Sequence, residues 1–97
     1  MADERLFIVT YDISDQKRWR RVFKAMHGYG EWIQLSVFQC RLSRRHRAEM
    51  ETRLRELVKH GEDHVLLIDV GPADKIDLAM ASIGKTVSKI ERQAIVI

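Results

Sequence analysis

Glu31-Trp32-Ile33-Gln34-Leu35-Ser36-Val37-Phe38-Gln39-Cys40-Arg41-Leu42 is the stretch on which the fold turns. Ile33, Leu35 and Val37 alternate with Trp32, Gln34, Ser36 and Phe38, the period of two expected of a strand. The stretch is either one long strand or a tight hairpin bending near Ser36, and the Asn-Gly pair that marks a two-residue turn is absent. With a hairpin, the chain has two βαβ halves; with a single strand it does not.

The flanks leave both alternatives open, and a ferredoxin-like sheet needs the hairpin. Upstream, Leu6-Phe7-Ile8-Val9-Thr10-Tyr11 is β-branched and aromatic and reads as a buried strand. Asp12-Ile13-Ser14-Asp15 follows, and Ser14 or Asp15 caps a helix whose Trp19, Val22, Phe23, Met26 and Tyr29 fall at intervals of three and four. Lys17, Arg20, Arg21, Lys24 and His27 occupy its opposite face, and Gly28 and Gly30 end it. Downstream, Ser43 caps a second helix expected to run to about His60, with Met50, Leu54, Leu57 and Val58 as its apolar stripe and Gly61 at its end. His64 to Val70 reads as a strand closed by Gly71-Pro72. A short helix is expected from Pro72 to about Ser82, with Ile76, Met80 and Ile83 on one side, and Ala94-Ile95-Val96-Ile97 as a terminal strand. Helices that are apolar on one face only, between strands in this order, predict an α+β ferredoxin-like βαββαβ sandwich with an extra C-terminal strand.

At 97 residues, 45% hydrophobic and 32% charged, residues 1–97 read as one small domain, too apolar for disorder. No apolar run exceeds four residues, which predicts no membrane span, and Met1-Ala2-Asp3-Glu4-Arg5 has no signal-like apolar region. A single cysteine, Cys40, excludes an internal disulfide and a cysteine zinc cage and suits a reducing cytoplasm. So small a core is marginal alone, and a homodimer is expected.

The net charge of +3 hides an asymmetry. From Gln16 to Arg47 nine basic residues (Lys17, Arg18, Arg20, Arg21, Lys24, Arg41, Arg44, Arg45, Arg47) face one acid, Glu31, for a net +8; the remainder carries −5. That block is either a solvated face or a site for a phosphate backbone. The pairs Glu49/Arg53 and Glu51/Arg55 are spaced to neutralise one another, whereas Arg44-Arg45-His46-Arg47 at the start of the same helix has no such partners and opposes its dipole. Phosphate-loop, dinucleotide, nucleophile-elbow and HExxH motifs are absent. His60 and His64 have the spacing of a helical metal pair, but Gly61 between them breaks the helix that would align them. Cys40 reads as a core residue. Asp12, ending an apolar strand before a basic helix, is either a turn-forming residue or a metal ligand. As a ligand it needs a second carboxylate, which a two-fold axis passing nearby would supply.

Tyr11-Asp12-Ile13-Ser14-Asp15, Lys17-Arg18, Tyr29-Gly30 and Gln34-Leu35-Ser36-Val37-Phe38-Gln39-Cys40 together closely resemble the CRISPR-associated protein two family of spacer acquisition. The resemblance implies a ferredoxin-like homodimer in which Ala94, Ile95, Val96 and Ile97 pair with the partner protomer's sheet. It also implies a metal-dependent endonuclease on RNA or double-stranded DNA, with one Asp12 from each chain sharing Mg²⁺ or Mn²⁺ across the dimer axis. The resemblance further implies a scaffold role for the integrase partner, CRISPR-associated protein one. Lys17, Arg18, Arg20, Arg21, Lys24, Arg44, Arg45 and Arg47 are the expected phosphate contacts. Trp32 and Leu35 stand where the family often has a basic and a polar or aromatic residue, so weak activity is expected. The alternative to this reading is a non-catalytic ferredoxin-like nucleic-acid-binding or regulatory module.

Overall fold

A computed structural model of the protein describes residues 3–84. The chain runs β1 (Arg5–Asp12), α1 (Gln16–Met26), β2 (Glu31–Gln34), β3 (Val37–Leu42), α2 (Arg44–Leu57) and β4 (His64–Pro72). The strands form one sheet in the order β2-β3-β1-β4, every neighbouring pair antiparallel. This is the ferredoxin-like arrangement expected, in which each helix crosses over a central strand.

The 31–42 stretch is a hairpin. Trp32 lies opposite Phe38, and Leu35 and Ser36 form the two-residue turn. Leu35 has φ +42, a left-handed conformation that ordinarily calls for glycine or asparagine. One side chain of the hairpin itself and two groups from α1 and β1 hold the turn there. The Trp32 indole donates to the Leu35 carbonyl (2.9 Å), the Trp19 indole donates to Ser36 Oγ (2.7 Å), and the Tyr11 amide donates to the Ser36 carbonyl (3.1 Å). The hairpin can begin immediately after α1 because Gly30 has no side chain: a Cβ there would run into Cys40 Sγ and the Gln39 carbonyl.

Phe7, Val9 and Tyr11 of β1 and Phe38 and Cys40 of β3 point to the helices, where they meet Val22, Met26, Met50 and Leu54. Burial pushes the Cys40 thiol up to about 12 and raises the Tyr11 hydroxyl as well. The alternate residues face the other way. Ile8, Thr10 and Asp12 of β1, Val37 and Gln39 of β3, and Leu66 and Ile68 of β4 share the side that no described helix covers; Ile8, Thr10, Val37 and Gln39 are half-buried there, and Leu66 and Ile68 are 47% and 48% exposed.

Two expectations are corrected. The second helix ends at Leu57, not near His60: Val58 is extended, and the next turn folds around Asp63, whose carboxylate accepts the Lys59 amide (2.8 Å). Pro72 to Ser82 contains no helix. Pro72 ends β4, the Ala73 amide donates to the Glu4 carbonyl (2.8 Å), and Met80 and Ile83 are exposed, so no packed stripe exists to stabilise so short a helix. The terminal strand expected at 94–97 lies outside the described residues, and no described helix is long and apolar enough to cross a membrane.

Candidate metal and nucleic-acid site

Asp12 closes β1 on the uncovered side of the sheet. It is exposed, and among the described residues its carboxylate has no hydrogen-bond or ion-pair partner. It is therefore not the cap of the helix that follows. That role falls to Asp15, which accepts the Arg18 amide (2.9 Å). Across the β1–β4 ladder the residue directly opposite Asp12 is His64, also exposed. His60 lies in the loop that Gly61, at φ +95, helps to turn, so the two histidines do not share a helix face.

The loop beneath Asp12 is fixed by a carboxylate that sequence reasoning passed over. The Asp63 side chain is fully covered and receives Arg18 Nε (2.8 Å), Arg18 Nη2 (3.1 Å), the Lys59 amide and, at 3.4 Å, the Ser14 amide. The paired guanidinium, helped by the two amides, holds Asp63 down at about 2. One acid thus ties the β1–α1 loop to the first turn of α1 and to the α2–β4 loop. The fork geometry of arginine makes this pair possible. Nothing within the local sequence announces it, because Arg18 and Asp63 are 45 positions apart.

The expected phosphate contacts divide sharply. Lys17, Arg20, Arg21 and Lys24 project from α1 into solvent, and none is ion-paired among the described residues. They line one side of the helix over about 10 Å. Arg18 is different: Asp63 and Glu62 occupy its guanidinium. On α2, Arg44 has no described ion-pair partner, but Arg45 reaches Glu49 (3.5 Å), and Arg47 is bound to Glu51 (2.6 Å) with its guanidinium 5.1 Å from the centre of the Phe7 ring. The first turn of α2 was expected to lack such partners. It has them because Glu49 and Glu51 reach back toward the N-terminus, where the helix dipole also favours them.

Trp32 does not stand near Asp12. It is 5% exposed in the core between the sheet and α1, on the opposite face, so it removes no polar group from the site. Leu35 is 66% exposed at the hairpin tip, and Phe38 is fully buried as core. A groove of about 310 Å³ between α2 and β4, lined by Leu54, Val58, Val65 and Leu67 among others, opens on the helix side of the sheet and does not include Asp12.

No three His, Cys, Asp or Glu side chains converge to hold a metal within the described part of a single chain. Asp12 has free lone pairs and an oxygen chemistry suited to Mg²⁺ or Mn²⁺, but it supplies only one protein donor. Such an ion fits this donor set when a second copy brings its own Asp12 close.

Among the described residues, a ferredoxin-like sheet with helices on one face only defines a small α+β protein of ferredoxin-like fold. Residues 5–75 match the family described as CRISPR associated protein Cas2, and the chain belongs to that family. A "CRISPR-associated endoribonuclease Cas2" of Geobacter sulfurreducens is 55% identical over 94 residues, covering 97% of this chain and 99% of that protein. Among solved structures, a hypothetical protein of Thermus thermophilus superimposes with a TM-score of 0.73 at 31% identity, covering 86% of this chain and 96% of its own. A structure titled as that of cas2 gives 0.70 at 35% identity, covering 86% and 92%.

Proposed function

We propose that this protein serves CRISPR spacer acquisition as a homodimer that binds RNA or double-stranded DNA and cleaves it with a divalent cation. The observation that carries the reading is the position of Asp12 at the end of the sheet face that no described helix covers, where Leu66 and Ile68 are exposed. Ile8, Val37, Leu66 and Ile68 form a face that a lone small domain gains by covering. A second copy placed there by a two-fold axis brings the two Asp12 carboxylates together. Without a cation they repel one another; Mg²⁺ or Mn²⁺ relieves the repulsion and joins the halves.

A cation held by Asp12 would supply positive charge for the scissile phosphate and would acidify an attacking water. The chain's own residues do the rest. Asp12 would hold the ion, and Lys17, Arg20, Arg21 and Lys24, on the outer surface of α1 and not on the face of Asp12, hold the sugar–phosphate backbone away from the ion through contacts that do not read bases. Hydrolysis breaks one P–O bond, water providing the hydroxyl and the leaving oxygen taking a proton. The Geobacter relative's name supports RNA as the substrate. The same basic faces, together with a dimer, suit a scaffold for the integrase CRISPR-associated protein one, and the free α1 cations serve that role with or without cleavage.

The test compares wild type, Asp12→Ala and the double variant Leu66→Glu/Ile68→Glu, purified identically. Labelled RNA and labelled duplex DNA are each incubated with and without Mg²⁺, and mass is followed by light scattering. Wild type is expected to be a dimer that cleaves only with metal, Asp12→Ala an inactive dimer, and the double variant an inactive monomer. Equal cleavage by wild type and Asp12→Ala would remove the catalytic reading and leave the scaffold.

A further inference from the structure

The acid at the end of β1 is not alone on its face. His64 begins β4 directly opposite Asp12, and β4 alternates so that Val65 and Leu67 pack on the core while Leu66 and Ile68 face outward with Ile8 and Asp12. His64 belongs to the outward set, and it is exposed. Residues directly opposite in an antiparallel pair hold their Cβ atoms about 5 Å apart. That separation lets a carboxylate and an imidazole meet at one ion lying between them. Asp12 and His64 are not within 4 Å as an ion pair, and neither has a described partner that would have to be displaced.

We propose that His64 is a ligand of the divalent cation held by Asp12, so that the site prefers Mn²⁺ and other imidazole-binding first-row ions over Mg²⁺. The inference rests on the dimer reading above: two chains then bring two carboxylates and two imidazoles to one ion, leaving positions for water or phosphate oxygen. Mg²⁺ takes oxygen ligands and keeps its waters, whereas Mn²⁺, Co²⁺ and Zn²⁺ accept imidazole nitrogen readily. A donor set of two oxygens and two nitrogens therefore discriminates between them where two carboxylates alone would not. His60, four residues away in the loop, has no strand opposite it and is not included.

The test uses the full-length protein with Mn²⁺ and Mg²⁺ as probes and three sequences: wild type, His64→Asn and Asp12→Asn. Mn²⁺ broadens proton signals well beyond its own ligands, so broadening of the imidazole signals that disappear in His64→Asn reports that the ion sits beside Asp12, and the change in Mn²⁺ against Mg²⁺ affinity reports whether His64 ligates it. Mn²⁺ affinity is expected to fall about tenfold or more in His64→Asn, with Mg²⁺ affinity changed less than about twofold, and Asp12→Asn to lose both ions. Because His64 is exposed at a strand end, circular dichroism of His64→Asn should match wild type. An unchanged Mn²⁺-to-Mg²⁺ ratio in His64→Asn while Asp12→Asn abolishes binding overturns the role of His64 and leaves the dimer site standing, whereas sharp His64 signals overturn both, since an ion at Asp12 lies beside that ring. Metal binding that survives Asp12→Asn overturns both.

Discussion

α1 and α2 cover the same side of one sheet with similar inner surfaces, yet their outer surfaces differ in kind. α1 places Val22 and Met26 in the core and α2 places Met50 and Leu54 there, all nearly or fully buried. Outside, α1 has no acidic residue, and four of its five cations are unpaired among the described residues, whereas α2 sets Glu49, Glu51 and Glu56 against its arginines. The block that a residue count assigns +8 is therefore two surfaces, one that presents charge and one that largely consumes its own. Exposed pairs of this sort add little stability, but they do decide which cations remain available to a polyanion.

The inner surfaces give the largest expected effect. Met26→Ala and Met50→Ala each remove a fully buried side chain and should each cost about 3 kcal/mol in urea unfolding. A cost confined to one of them would break the equivalence of the two helices. Next comes the outer surface of α1. Arg20→Glu with Arg21→Glu should weaken RNA and duplex binding about 100-fold and make the log–log salt slope shallower by about two units. Arg45→Glu with Arg47→Glu should do less, since both arginines already spend charge on glutamates; equal losses from the two pairs would erase the distinction. A smaller effect of opposite sign sharpens the same point. Glu49→Gln with Glu51→Gln releases α2 cations and should tighten binding about threefold in a low-salt filter or anisotropy assay.

The smallest effect at neutral pH concerns how α1 is anchored. Asp63 is held near 2 in the folded chain, below the ordinary 3.8. A depressed carboxyl contributes stability above its unfolded value and loses it as pH falls toward its folded value. Thermal stability should thus drop between about pH 4 and pH 2, first where Arg18 meets the α2–β4 loop. Asp63→Asn, already weakened at neutral pH, should lack that acid-dependent loss. An unchanged acid limb in the variant would mean that other carboxylates account for it.

Local rules made most of the framework legible. The β-branched and aromatic run at 6–11, the apolar run of 64–70 closed by Gly71-Pro72, the cap at Ser14 or Asp15 and that at Ser43, and the apolar stripe of α1 all follow from near neighbours, and near neighbours are what a sequence displays. The hairpin was readable only as one of two alternatives. Its turn residue at positive φ is Leu35, and of the groups that hold the turn only Trp32 is local, while Trp19 and Tyr11 reach Ser36 by tertiary contact. Asp63 was illegible for the same reason, since its value lies in an arginine 45 residues away. The end of α2 was overestimated because Leu57 and Val58 extend the apolar stripe past the point where Asp63 captures the Lys59 amide. Of the site, Asp12 was visible as an acid at an apolar strand's end. His64 could be placed beside it only once the β1–β4 register was known.

The hairpin tip also determines what light reports about this molecule. The sequence has two tryptophans, and both indole N–H groups donate to the same two-residue turn, Trp32 to Leu35 and Trp19 to Ser36. One of them is stacked on Phe23 at 4.9 Å. Intrinsic emission therefore samples the junction of α1 with β2–β3 and is blind to β4 and to the bare sheet face. A fluorescence melt would record the fraying of that corner, while assembly across the far face, however tight, would leave the spectrum almost unmoved.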